Sequence, residues 1–348
     1  MQPHSIDISK MATFTEANKN DNVDDDYPIS ADPSKYVTLP VQNEKIWTKY
    51  QETLDWFWTV YDVDIVNDKE LMKTTFNEVQ VKEILRILTF MFTTHRTTLN
   101  KELFMQLMNQ ADIKEAVYYL GSQADAKKTH GMMYSLILDE LLRDQPGEKE
   151  NLIKAVAISP EIRDFLRWSV QNTTSESLSF GQRLLCLATL QGIIFTVPFV
   201  LFNWLQKEHK NSMPGLSQSN GLIWRDEKLN LSFSCLMFEF LEESLDDEDA
   251  HRIIKEAVSH AKRLFTKAMP VSRLGMDSDL VEQFIEHSAD DILFKIHVPK
   301  IYNKESPFDW IEEPVMCPTK VQNEQKGNNM PDTSRNLDEP ANFDLEDF

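Results

Sequence analysis

Residues 112–143, DIKEAVYYLGSQADAKKTHGMMYSLILDELLR, decide the fold. Ile113, Ala116, Val117, Leu120, Ala124, Leu138 and Leu141 recur at helical spacing, and Lys127, His130 and Tyr134 fall inside the same stripe. That stripe faces the interior of a globular chain, so the segment reads as a long helix carrying a lysine, a histidine and a tyrosine inward. Working outward, residues 222–244 repeat the pattern with Ile223, Ser234, Met237, Phe238 and Leu241, and place Glu227 and Asn230 on it. In residues 81–99, Leu85, Leu88, Phe92 and Leu99 share their face with Arg96. Residues 184–205 are apolar almost all round, with Gln191 as the large polar residue near the middle.

Four helices thus present six polar side chains to one interior: Arg96, Lys127, His130, Gln191, Glu227 and Asn230. Ferritin-like di-metal bundles place one carboxylate on each of two helices and a Glu-x-x-His pair on each of the other two. Lys127-Lys128-Thr129-His130 and Glu227-Lys228-Leu229-Asn230 have that spacing, and each keeps one of the two metal-binding residues. For any single position an isolated core residue with a backbone partner is the simpler reading, and six on four helices weaken it. The expected fold is all-α, a ferritin-like helical bundle.

The rest of the chain agrees. A length of 348 residues allows about two domains, yet no Gly/Ser/Pro-rich linker interrupts residues 35–300, so one helical domain over 34–313 is expected. Nine glycines, frequent amphipathic runs and the lack of hairpin or β-α-β patterns favour helix. The net charge of -20 argues against a nucleic-acid surface, since binding phosphates takes a basic stripe, so no nucleic-acid partner is expected. Cys186, Cys235 and Cys317 are few and odd in number, which suits a reducing compartment and not a disulfide framework. Residues 1–33 hold Asp21, Asp24, Asp25 and Asp26 and no apolar run; they read as a disordered acidic tail without a secretory signal. The expected compartment is the cytoplasm, with the nucleus left open. Leu184 to Leu205 is long enough to cross a bilayer, but Gln191, Pro198 and Asn203 interrupt it and its neighbours are amphipathic. It is read as a buried central helix kinked at Pro198, with no membrane partner.

Phe57-Trp58-Thr59, His130 with Met133-Tyr134-Ser135-Leu136, Met213-Pro214-Gly215-Leu216, Trp224-Arg225-Asp226-Glu227, Gly275-Met276, Phe284-Ile285-Glu286 with Ala289-Asp290, and Pro307-Phe308-Asp309 together resemble the small (beta) subunit of class I ribonucleotide reductase. The resemblance covers residues 34–313. It implies a helical, dimer-forming bundle that makes a tyrosyl radical beside a di-iron centre and passes the oxidising equivalent to a large subunit, which reduces ribonucleotides.

Position by position, the resemblance puts Arg96, Lys127, Gln191 and Asn230 where ligands belong, and matches only His130 and Glu227. A unit positive charge about 4 Å from a divalent ion repels it by roughly 8 kcal/mol at an effective dielectric of 20. With two such cations no cofactor is expected; Arg96 and Lys127 would take over the ions' structural task, with Glu227 as counter-charge and the amides completing the hydrogen bonds. Tyr134 matches the radical tyrosine, Phe195 and Phe199 its apolar shelter, and Trp58, Asp226 and His130 the electron relay; without the metal these are expected to persist as relicts. No tyrosine follows Tyr302 to carry a radical onward. The segment 314–348 reads as a flexible tail in which Phe343, Leu345 and Phe348 anchor a terminal peptide for the large subunit.

The implied function is a non-catalytic, ligand-depleted small-subunit component of ribonucleoside-diphosphate reductase, paired as a heterodimer with an iron-binding small subunit. Left open are an active radical subunit with a single metal at His130 and Glu227, and an inhibitory decoy of the large subunit.

Overall fold

A computed structural model describes residues 40–241 and 244–311. The tails expected at 1–33 and 314–348, with Cys317 and the docking residues Phe343, Leu345 and Phe348, lie outside the described residues.

Among the described residues the architecture is helical throughout, with no strand. In chain order the helices are α1 (Glu44–Asp55), α2 (Asp68–Thr75), α3 (Glu78–Thr98), α4 (Lys101–Gln110), α5 (Lys114–Leu141), α6 (Glu148–Ile158), α7 (Pro160–Thr174), α8 (Phe180–Thr189), α9 (Thr196–Glu208), α10 (Pro214–Leu236), α11 (Asp247–Arg263) and α12 (Ser278–Lys295). Their starts follow local chemistry. Asn77 accepts from the backbone N–H of Val79 and Gln80 while the Gln80 side chain accepts from Asn77 N–H, a capping box that opens α3. Ser179 and Gln182 do the same for α8.

The α5 helix packs on α3 and on α10, and α10 packs on α8 and α9. The ring closes through Phe195, whose centroid lies 6.3 Å from Phe90 and 5.1 Å from His95, both on α3. Phe180–Glu208 is long and apolar enough to span a membrane, but 94% of its most apolar window is buried within the protein, which makes it the core rod the sequence suggests.

The rod is interrupted upstream of Pro198. Residues Leu190–Ile194 form a π turn, in which Phe195 N–H donates to Leu190 C=O at 2.9 Å, and α9 then restarts with Pro198 in its first turn. The proline cannot donate to Ile194 C=O, so regular α geometry fails where the wider turn takes over. Gly192 lets this turn press on its neighbours: a Cβ there would meet Leu231 Cδ2 at 2.8 Å and Ile292 Cδ1 at 2.9 Å.

The start of α10 is fixed by close backbone approach. Pro214 occupies the first turn, and the N–H groups of Gly215 and Leu216 donate to the buried Asp68 carboxylate at 2.9 and 2.6 Å. A Cβ on Gly215 would lie 2.8 Å from Ile65 Cα and run into the Asp64 carbonyl, neither of which is a flexible side-chain end. Gly215→Ala is therefore expected to cost roughly 1–3 kcal/mol. Gly121→Ala in α5, where nothing lies within 4 Å, should instead stabilise by about 0.5–1 kcal/mol. Thermal unfolding of the two variants checks the contrast.

Candidate metal centre

Adjacent residues of α10 supply the two acids. Glu227, 1% exposed, accepts from Lys127 Nζ on α5 and lies 3.2 Å, through Oε1, from both His95 Nε2 on α3 and His130 Nδ1 on α5. Asp226 Oδ2 accepts from Trp58 Nε1 at 2.7 Å and meets His130 Nε2 at 3.0 Å, while Asp226 Oδ1 lies 3.2 Å from Arg225 Nη2. The imidazole of His130 is thus held between two carboxylates and lies near-parallel to the Trp58 indole, 6.0 Å away. The expected grouping of Trp58, Asp226 and His130 is present.

Arg96 is not in this cluster. It is exposed and lines a surface cavity, and the residue that reaches Glu227 from α3 is its neighbour His95, which sequence reasoning missed. The physical reason is the breadth of the buried face. Ile84, Ile87 and Met91, at eleven, eight and four residues before His95, are all buried, and they turn the inward face away from Arg96. A stripe drawn through Leu85, Leu88, Phe92 and Leu99 passes between the two positions; one that included Ile84, Ile87 and Met91 would have settled on His95.

The amides also sit otherwise than expected. Gln191 Oε1 accepts from Ser234 Oγ at 3.1 Å and Asn230 Oδ1 from the Tyr119 hydroxyl at 3.1 Å, so neither completes hydrogen bonds to Glu227. Tyr134 is buried with its ring edge-on to His95 at 6.0 Å, and its hydroxyl has no hydrogen-bond partner among the described residues. Phe195 and Phe199 are buried in the core, the first against His95 and the second against Trp224.

Charge is arranged around one ion pair. Burial alone would raise the Glu227 carboxyl, but the Lys127 ammonium and the close His130 and His95 rings hold it well below the usual carboxylate range. Burial lowers the Lys127 ammonium, against the pull of Glu227. Burial takes His95 down to about 4, so its ring is neutral at physiological pH. Burial also opposes charge on His130, but Asp226 and Glu227 outweigh it and raise that ring above its ordinary value. Burial and Glu227 push the Tyr134 phenol far up, which keeps it protonated.

These residues fit one metal ion. His95, His130 and Glu227 offer ligand atoms that all lie within 4.8 Å of one another. Donors bonded to one ion at about 2.1 Å stand roughly 3 Å apart, close to the 3.2 Å separations found here. His130 Nδ1 and Glu227 Oε2 are buried without hydrogen-bond partners. In the neutral His130 ring, donation from Nε2 to Asp226 leaves the lone pair on Nδ1, the carboxylate–histidine arrangement that orients metal ligands. Two histidines and one carboxylate suit a divalent transition ion such as zinc or iron(II), which would supply Lewis acidity or one-electron redox chemistry. A second ion does not fit, because Lys127, Gln191 and Asn230 bring no anionic donor. The expectation of no cofactor is therefore corrected: it rested on two cations at the site, and only Lys127 is there, beside three donors.

Comparison with known proteins identifies the family. A family profile described as "Ribonucleotide reductase, small chain" matches residues 35–307. The ribonucleoside-diphosphate reductase small chain of Spisula solidissima is 35% identical over 286 residues, covering 82% of this chain and 73% of that one. The Rnr4 homodimer of Saccharomyces cerevisiae superposes with a TM-score of 0.73 at 26% identity, over 78% of this chain and 85% of that one. The dimanganese(II)-NrdF of Streptococcus sanguinis shares the fold, with a TM-score of 0.66 at 10% identity over 80% of this chain and 95% of that one. The all-helical architecture, the retained Trp58–Asp226–His130 linkage and these matches place the chain in the ribonucleotide reductase small chain family.

Proposed function

We propose that this chain is a small-subunit component of ribonucleoside-diphosphate reductase that does not itself generate the radical, and that it pairs with an iron-competent small subunit and docks to the large subunit. The observation that carries this reading is the Lys127 ammonium bonded to Glu227. At the place where the resemblance puts the glutamate of the first Glu-x-x-His pair there is a cation, and of the six positions it aligns with ligands only His130 and Glu227 keep one. Exposed Met105 and Met132, which line one surface cavity between α3, α4 and α5, support a partner on that face. The terminal Phe343, Leu345 and Phe348 support the large-subunit contact.

The test is to purify the chain alone and together with an iron-competent small subunit, then measure bound metal, tyrosyl radical and reductase turnover. The accessory reading expects no radical in the chain alone and higher turnover when it joins the partner. A fall in turnover would instead make it a decoy. A tyrosyl radical in the chain alone would favour the second reading, an active subunit with one ion, which the closeness of Tyr134 to His95 supports.

A further inference from the structure

Lys127 does two things at once: it supplies the counter-charge of Glu227, and it lines a cavity of about 850 Å³ between α3, α4 and α5. The cavity wall also carries Arg96, Asp125, Lys128 and Ser135. The same Glu227 oxygen that Lys127 bonds is the one nearest both histidines. An ion bound by His95, His130 and Glu227 would stand beside the ammonium, and two positive charges cannot share one buried carboxylate without strong repulsion. On its other side Lys127 faces the open cavity, whose wall carries the Asp125 carboxylate. The four-carbon stem gives the ammonium the reach to exchange one setting for the other.

We infer that Lys127 is a built-in competitor for the metal: its ammonium closes the two-histidine, one-carboxylate site when the site is empty, and withdraws into the α3–α4–α5 cavity when one divalent transition ion binds. Occupancy by Lys127 and by the ion are mutually exclusive. The site therefore keeps a counter-charge on Glu227 in both states, which preserves the bundle while lowering affinity for the ion. This concerns the chain alone and stands whether or not the chain serves as an accessory subunit.

The experiment uses the full chain and cobalt(II), whose visible absorption reports coordination. Titration of the wild type should saturate at one ion per chain. Lys127→Met, which keeps the stem and removes the charge, should bind the ion tighter by roughly a hundredfold, because the unliganded state loses the partner of a buried carboxylate. Because that variant could fold poorly, a second measurement is made on the wild type. Amine labelling followed by mass spectrometry should show Lys127 protected without cobalt and labelled with it, while Lys128, already exposed, stays unchanged. Equal affinity in both proteins, Lys127 still protected in the loaded chain, two ions per chain, or no ion bound by either protein would each overturn the inference. Reductase activity enters none of these readouts.

Discussion

Glu227→Ala is expected to destabilise the metal-free protein by about 3–5 kcal/mol. The substitution leaves the Lys127 ammonium, 8% exposed, without its counter-charge. It also removes the acceptor approached by His95 and His130. A buried charge stripped of its partner keeps its full desolvation penalty, which is why breaking such a pair costs more than the pair contributes relative to an apolar pair. The comparison is Glu150→Ala, an exposed position of the same residue type, where a change within about 0.5 kcal/mol is expected. Urea denaturation of the two variants and the wild type decides it. A Glu227→Ala midpoint no lower than that of Glu150→Ala would mean that the ion pair does not hold the bundle.

Acidification from pH 7.5 to about 4 is expected to draw about 3 kcal/mol of stability out of His95 alone. Burial holds its folded value at about 4 against 6.5 in the unfolded chain. Within that window the unfolded state binds the additional proton, so stability falls as pH falls. His260 has the same sign: burial, then Arg263, depress it to about 4, and Arg263 Nη2 lies 2.9 Å from its Nδ1. His130 has the opposite sign, because its raised value favours the folded state at lower pH, and the raised carboxyls of Asp68 and Glu83, lifted by burial, act in that direction too. The contribution of His95 is therefore read as a difference. Denaturation curves of wild type and His95→Gln, followed across this window without added metal, should diverge in slope, with the variant flatter by about 3 kcal/mol overall. Parallel curves would show that the His95 ring gains a proton in the folded protein as easily as in the unfolded one.

Four inward stripes in the sequence were sufficient to fix the bundle, because burial of one face is what makes a helix stable in a globular chain. The stripe around Lys127 and His130 became α5, and the one around Glu227 and Asn230 became α10. The first limit was angular. His95 and Arg96 are adjacent, and a stripe of four residues cannot resolve one from the other, whereas the full buried set can. The second limit was pairwise. Periodicity shows that Gln191 and Asn230 face inward, but which donor each meets depends on Ser234 and Tyr119, and no spacing rule fixes that. Pro198 marks a disturbance in the rod, but its form, a π turn with Gly192 against Leu231 and Ile292, depends on α10 and α12.

The burial of Phe180–Glu208 has a consequence for biosynthesis. Its cover comes in part from α10, α11 and α12, which follow it in the chain. At a ribosomal rate of about 5–20 residues per second, the stretch between Glu208 and Leu293 takes roughly 4–17 seconds to appear. For that interval the most water-averse segment of the polypeptide is without its later-made neighbours, which makes it the expected binding site for a cotranslational chaperone.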